Sequence, residues 1–576
     1  MPAATEPCAA IDGIPGNRWL HVFLLIALCG VLYFPYLGST PVFDKGEPRE
    51  GLAVQDIVQR GEWLFPLKRA AAIPSKPPMF HWSAALVYQF TGILDEATLR
   101  LPSAVYATLG VISLYLLGAK LFGAQVGLLG GAILATTMIY QTQAVNARVD
   151  MTLCFFVTLS LILFYSIYRG LLTHPLWPYA MYLLVGLATL SKGPLGLVLP
   201  GLVIAVFLAL KRNWQQFFRF AFHPGVLIAV ILVLGWYGLA ITRGGEGFVD
   251  RQLLSENLGR FFGGSGHSHP LYYYLGYLFS LAIPWCLFYP LMFMDWAEHR
   301  GSADRDDVRF LQTWFAAMLI FFSLSSGKRA VYLLPVYPAL ALLLAVWCHR
   351  QTSLGSLRTW CLRVLSVVAV VSALVMLFVA LGDLWTHDPS RLFAPIETML
   401  KPKDRANFIV IVNQIAGFGW KFDVAALASA VLWSVFGYYL WRGRTVAAGG
   451  ALVALSIILA FFSRGLVEKT IAETKSYRDF MVEVNRLVSP SEKLVLAGGF
   501  NGDAVAFYRS GILEVAERPL GDVSAQVFAG NGYIVTTEKN WNRLRQAQPE
   551  LTPLLRSRGT GPEGDAPLVL LRAQVR

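Results

Sequence analysis

The stretch Phe43–Trp82, FDKGEPREGLAVQDIVQRGEWLFPLKRAAAIPSKPPMFHW, is a polar island in an otherwise apolar sequence. It opens with Asp44, Glu47, Arg49 and Glu50 within seven residues and closes on Lys76-Pro77-Pro78. Gly46 is suited to break a preceding helix, and Pro48 to sit in the first turn of a new one, where its missing N–H costs nothing. Glu47 and Glu50 then share a helix face. At the far end, residues before proline are pushed out of the α region, so Lys76 and Pro77 are extended and Pro78 opens a helix near Met79. Lys76 thereby stands at a helix entrance, where backbone N–H groups and the dipole favour an anion. Acids at one end and a lysine at the other suggest a site. A solvated loop with amphipathic helices lying on a membrane has the same spacing.

Around this island the chain is a polytopic membrane protein. Its 576 residues are 55% hydrophobic and only 15% charged, with mean hydropathy +0.53, far from an average soluble domain. Apolar runs long enough to span a bilayer recur at about 18–37, 100–122, 124–142, 151–169, 176–191, 194–211, 225–243, 272–295, 308–325, 331–349, 358–382, 422–442 and 446–464, thirteen in all. The first ends in Tyr-Leu-Gly without a small-residue cleavage site, so it is expected to be a retained helix. The six cysteines, at 8, 29, 154, 286, 348 and 361, form no CxxC pattern, and imply neither a disulfide framework nor a thiolate metal site.

The net charge of +12 divides between topology and the loops. With a cytoplasmic N-terminus, every inside loop carries a cation: Lys120, Arg169, Lys211 with Arg212, Arg300 with Arg305, Arg350 with Arg358, and Arg442 with Arg444. An odd span count then puts the polar first loop (43–99) and the tail (465–576) outside. Arg148, Lys192, Arg260, Lys328 and Arg329 also fall on outside loops, against the trend, and call for another cause. In the tail, 477–487 reads as an amphipathic helix, 493–497, 533–537 and 568–571 as short strands, and 540–546 as a further helical turn or two, a small α/β domain. Neither G-x-G-x-x-G nor a Walker lysine occurs, so energy for a reaction outside must arrive with a membrane-borne substrate.

Several groups carry possible chemistry. Asp150 begins the fourth span, where Asp is also a good helix cap, but Arg148 two residues earlier sits at a membrane edge where unpaired charge is expensive. Asp44 and Asp150 both fall at the outer surface. Glu256 and Arg260 form an i,i+4 pair before a glycine run ending in His267 and His269. Two histidines at i,i+2 can reach one zinc-like ion, whereas a full site needs three or four ligands. Lys328, Arg329 and Tyr332 either snorkel to lipid phosphates or hold the phosphate of a lipid substrate. Lys192, in Ser-Lys-Gly-Pro, is open to the same two readings.

Taken in order, Phe43-Asp44 with Glu47 and Arg49-Glu50, then Gly61-Glu62-Trp63, Lys76-Pro77-Pro78, Arg148 with Asp150, Ser191-Lys192-Gly193-Pro194, Glu256-Asn257 with Arg260-Phe261, and Lys328 through Tyr332-Leu333-Leu334-Pro335 resemble the polyprenyl-phosphate-dependent GT-C glycosyltransferases. Within the protein O-mannosyltransferase-like superfamily the pattern is most similar to the bacterial lipid A aminoarabinose transferases. Lys45 stands where relatives usually have an acid after the first aspartate, and Ser75 where many have Glu before Lys-Pro-Pro.

The resemblance implies a GT-C membrane domain over 1–464 with periplasmic juxtamembrane helices in 43–99, about thirteen transmembrane helices, and a periplasmic α/β domain over 465–576. It implies an inverting transfer of 4-amino-4-deoxy-L-arabinose from undecaprenyl phosphate to lipid A phosphate at the periplasmic face of the inner membrane, giving polymyxin resistance. Asp44, Asp150 and Glu47 are the expected catalytic residues. Lys76, Arg260, Lys328, Tyr332, Arg148 and Lys192 are the expected donor-phosphate ligands. No cofactor is required, a zinc ion at His267 and His269 being an option. The partners are the lipid-linked donor, lipid A and membrane lipids, not nucleic acid, and the protein is expected to be a monomer. The alternatives are a related transferase with another sugar or acceptor, and a transporter or flippase of lipid-linked sugars.

Overall fold

The structure, a computed structural model, describes residues 17–67, 72–73, 75–252, 259, 269–295, 305–350, 355–386, 395–400, 405, 408–409, 412–413, 417–498, 500, 502–510, 513–515, 532–547, 551–561 and 567–573. The first eleven helices are α1 (Asn17–Tyr33), α2 (Gly46–Arg60), α3 (Met79–Thr91), α4 (Glu96–Phe122), α5 (Ala124–Thr136), α6 (Met138–Ala144), α7 (Val149–Tyr168), α8 (Trp177–Lys192), α9 (Leu195–Leu210), α10 (Trp214–Ala221) and α11 (Val226–Phe248). Each of the thirteen apolar runs coincides with one helix or with two or three consecutive ones. By length and composition, eight helices among the described residues qualify as spans, or nine if the bent pair Tyr273–Ser280 and Trp285–Met294 counts as one. The chain is thus a mostly helical polytopic membrane protein.

One continuous apolar core joins α1, α4, α5, α7 and α9 to the Arg305–Leu324 and Tyr337–His349 helices. Two of its largest rings place their polar atoms on partners: the indole of Trp285 donates to the Thr136 hydroxyl at 2.9 Å, and that of Trp314 to the Pro335 carbonyl at 2.9 Å. By contrast, much of the Gly355–Thr386 helix leaves its apolar side chains exposed, as expected of a face meeting lipid tails.

The polar island folds as the proline signals predict, whereas Gly46 opens α2 instead of breaking the preceding helix, which already ends at Tyr33. α2 starts at Gly46 with Pro48 in its first turn and ends on Gly61, a left-handed C-cap (φ 71°) whose N–H bonds the Ile57 carbonyl. α3 starts directly after Pro78. The two pack together over a separate small core of Val42, Leu52, Ile57, Phe80, Leu99 and Val149.

The tail contains a five-stranded sheet, β1 (Leu494–Leu496), β2 (Leu513–Val515), β3 (Tyr533–Thr537), β4 (Leu551–Arg556) and β5 (Leu568–Ala573), in the order β2-β1-β3-β5-β4. β1 runs parallel to β2 and β3, while β5 is antiparallel to β3 and β4. The predicted helices and the three predicted strands are present. β2, β4 and the short Asp503–Tyr508 helix are additional. Their sequences, LEV, LTPLLR and DAVAFY, are too brief or too mixed for periodicity to mark them.

Candidate functional site

The site is built around Arg148, the last residue before α7. Its Nη1 donates to Asp44 Oδ1 at 3.0 Å, and its Nε lies 3.5 Å from Asp150 Oδ2. One guanidinium therefore joins two carboxylates separated by more than a hundred residues of sequence. The planar fork of arginine suits that task, with donors pointing in fixed and different directions. Gly46 makes the approach possible: a Cβ there would lie 2.5 Å from Arg148 Nη1 and 3.0 Å from Asp44 Oδ1. Instead the Gly46 N–H, free at the start of α2, donates to Asp44 Oδ1 at 2.6 Å.

The two aspartates differ in surroundings. Asp150 is buried, its side chain 5% exposed; its Oδ1 accepts from the Lys192 ammonium, and Arg148 and Lys76 add to the positive field around it. The Lys192 ammonium also sits 4.5 Å from the centre of the Tyr332 ring, in cation–π contact. Asp44 is the open member, its side chain 38% exposed. Among the described residues both of its hydrogen bonds fall on Oδ1, and a small cavity of ≈ 60 Å³ adjoins it, bordered also by Tyr36, Asn146, Arg464 and Glu468. Burial works against the positive charge of Arg148, but Asp150, Asp44 and Glu50 outweigh it and raise its pKa above the ordinary arginine value.

Glu47 and Glu50 leave α2 toward different partners. Glu47 receives a two-pronged pair from Arg100 at 2.8 and 2.7 Å and the Ala147 N–H at 2.9 Å. Arg100 also donates to the Leu37 and Thr40 carbonyls at 2.9 and 2.6 Å. Both side chains are buried. A carboxylate so occupied holds structure together, while Glu47 also borders the small cavity beside Asp44.

Glu50 bonds Arg49 at 3.1 Å and the fully buried His81 at 2.9 Å. Burial alone would raise its carboxyl, yet the Arg49 charge, His81 and Arg148 together hold it well below the ordinary carboxylate value. A carboxyl so depressed adds stability that is complete above its unfolded pKa of about 4.3 and is lost as pH falls through the lower folded value.

Of the other expected ligands, Lys76 is buried just ahead of α3. Lys328 is buried too, its ammonium donating to the Ser325 carbonyl at 2.6 Å. Arg260 and His267 lie outside the described residues, as does Glu256. His269 stacks on Tyr273, ring centres 4.2 Å apart. Among the described residues no three His, Cys, Asp or Glu side chains are grouped to hold a metal ion.

Sequence reasoning missed Arg100 and His81. Arg100 had a signal, a charge at the first residue of an apolar run, the same feature that marked Arg148. His81 had none beyond its place after Lys-Pro-Pro.

Comparison with known proteins finds similar sequences and similar folds. The family model for dolichyl-phosphate-mannose-protein mannosyltransferase matches residues 75–237, which include Lys76, Arg148, Asp150 and Lys192. An uncharacterized protein of Aquifex aeolicus is 29% identical over 386 residues, 66% of this chain and 73% of the relative. An undecaprenyl phosphate-alpha-4-amino-4-deoxy-L-arabinose arabinosyl transferase of Pseudomonas aeruginosa is 28% identical over 417 residues, 71% of this chain and 73% of its own. The corresponding transferase 1 of Pseudomonas fluorescens is 28% identical over 367 residues, 63% and 65%. Among solved structures, ArnT from Cupriavidus metallidurans bound to undecaprenyl phosphate superposes with a TM-score of 0.76 at 21% identity, covering 97% of this chain and all of that one. The apo form of the same protein gives 0.74 at 20% identity, covering 98% of this chain and all of that one. The chain is thus similar over residues 75–237 to the dolichyl-phosphate-mannose-protein mannosyltransferase family and over longer stretches to bacterial aminoarabinose transferases, and it shares the fold of ArnT.

Proposed function

We propose that this protein transfers 4-amino-4-deoxy-L-arabinose from undecaprenyl phosphate to a phosphate of lipid A, with inversion at the anomeric carbon, on the periplasmic face of the bacterial inner membrane. The observation that carries this reading is the pairing of Asp44 and Asp150 through Arg148, with Lys192 and Lys76 beside them. The named relatives support the sugar and the lipid.

The bond from the anomeric carbon to the donor phosphate breaks as an acceptor phosphate oxygen attacks from the opposite face. The departing undecaprenyl phosphate needs charge stabilisation rather than a proton, and Lys76, at the N-terminal entrance of α3, is suited to receive it. Arg260, Lys328 and Tyr332 are the further candidates for that phosphate. The acceptor is already ionised near neutral pH, since the second pKa of a phosphate monoester is about 6. A strong general base therefore adds little. Asp44, the exposed carboxylate, orients the acceptor and pairs with the ammonium of the sugar. Asp150, enclosed by Lys192 and Arg148, keeps those two cations aimed at the reacting phosphates. An apolar cavity of ≈ 460 Å³ between α8, α9, α10 and α11 has the size and lining for a hydrocarbon chain. In this reading the C-terminal sheet stands with Asp44 on the periplasmic side, as the loop cations imply.

Mass spectrometry of lipid A from cells with and without the protein is the direct test. Added aminoarabinose mass only in the presence of the protein is the expected result. Unmodified lipid A in both, with undecaprenyl-linked sugar accumulating, would exclude the transfer and favour lipid transport.

A further inference from the structure

The C-terminal sheet has no role in the mechanism above, yet the Asp503–Tyr508 helix that follows β1 reaches directly onto the polar island. We propose that Tyr508 is a positioning residue for the site, its hydroxyl holding the extended segment that presents Asp44. This inference rests on the proposed transfer and extends it to residues more than four hundred positions away.

Pro41, Val42 and Phe43 belong to no helix or strand, so their backbone groups must find partners elsewhere. The Val42 N–H donates to the Tyr508 hydroxyl at 2.9 Å, two residues before Asp44. The same hydroxyl donates to Glu96 Oε1 at 2.8 Å, and Glu96 also faces Arg478 at 3.5 Å. Glu96 and Arg100 occupy successive turns of α4, and Arg100 binds the Leu37 and Thr40 carbonyls. The chain entering the site is therefore fixed at 37 and 40 by the membrane helix and at 42 by the tail.

Two further contacts make the hold specific. The Gln55 amide of α2 donates to the Phe507 carbonyl at 2.9 Å. The Phe507 ring lies so close to Gly51 of α2 that a Cβ there would approach it to 2.9 Å. Burial, and then the Glu96 charge, raise the Tyr508 phenol well above its ordinary pKa. It stays protonated at physiological pH and keeps donating to Glu96, which leaves its lone pairs for Val42.

The test uses the full-length protein in lipid nanodiscs and the variant Tyr508→Phe, which keeps the ring and removes the hydroxyl. Hydrogen exchange across 40–47 is expected to quicken several-fold. With undecaprenyl-phosphate aminoarabinose and lipid A, kcat is expected to fall on the order of tenfold, the effect of a slightly misplaced reacting group. KM for the donor is expected to stay near wild type, because Lys76 is untouched, and the melting temperature to fall by no more than the loss of the hydroxyl's hydrogen bonds. Phe507→Ala, which opens a packing defect, should lower the melting temperature more. Unchanged exchange across 40–47 in Tyr508→Phe overturns the proposal, whatever the turnover. So does faster exchange with unaltered kcat in an active enzyme. If wild-type protein transfers no aminoarabinose but Tyr508→Phe still quickens exchange, the assignment of substrate fails and the hold on the Asp44 segment stands.

Discussion

At the scale of single residues, burial separates Asp44 from Asp150 more than their chemistry does. Asp150 neutralises Lys192 and Arg148 inside the protein, and removing one partner of a buried pair leaves the other charge uncompensated. Asp44 meets the cavity and shares Arg148 with its neighbour. Asp150→Asn is therefore expected to weaken binding of undecaprenyl phosphate and to lower thermal stability, because two cations lose their anchor. Asp44→Asn should keep the fold and donor affinity and lose turnover by roughly 10²-fold, a typical effect of losing a group that orients a reactant. Titration with undecaprenyl phosphate, melting curves and single-turnover transfer distinguish the two. Full turnover in both variants would remove the aspartates from the mechanism. The identity of both residues was legible from the sequence, since carboxylates at membrane edges are costly and demand a partner. Their bridging by Arg148 was not, because periodicity and local spacing say nothing of contacts between residues 104 positions apart.

Among the elements, α2 decides how the site is assembled. It is tied to α4 by Glu47 and Arg100, to α3 by Glu50 and His81, and to the tail by Gln55. Glu47→Gln breaks the two-pronged pair and leaves the Arg100 guanidinium buried among carbonyls. About 3–5 kcal/mol of destabilisation is the usual consequence of halving a buried ion pair, so the detergent-solubilised variant should melt several degrees lower. Were Glu47 chiefly catalytic, the variant would instead lose turnover at an unchanged melting temperature. The starts of α2 and α3 were readable because Pro48 and Pro78 act on their own backbone. The separate destinations of Glu47 and Glu50 were not, since neighbours on one helix face can still meet different elements.

For the molecule as a whole, the loop cations predict a tail exposed on the outer side of the membrane. The tail is free of cysteine, and among the described residues the remaining cysteines are buried or half-buried. A thiol introduced by Asp479→Cys, where the native side chain is 91% exposed, should therefore react in cells with a permeabilised outer membrane. The reagent is a maleimide that cannot cross the inner membrane. Labelling only after the inner membrane is broken would reverse the orientation and put Asp44 on the wrong side for lipid A. The same topology accounts for the arrangement of charge: the core is apolar, and Asp44, Arg148, Asp150 and Lys192 gather where helices begin or end, with unpaired backbone groups at hand to meet charge.

The sequence by itself determined that this chain is a bundle of membrane helices with one polar island and a small sheet domain, because hydropathy, proline and glycine act locally and leave a local trace. It also marked which charges sat where topology could not explain them. Only the tertiary structure decided how those charges pair: Arg148 between the two aspartates, Arg100 on Glu47, and Tyr508 on the backbone beside Asp44. Such pairings depend on which helix ends meet in space, and the packing of the apolar faces settles that through contacts distributed over the whole bundle.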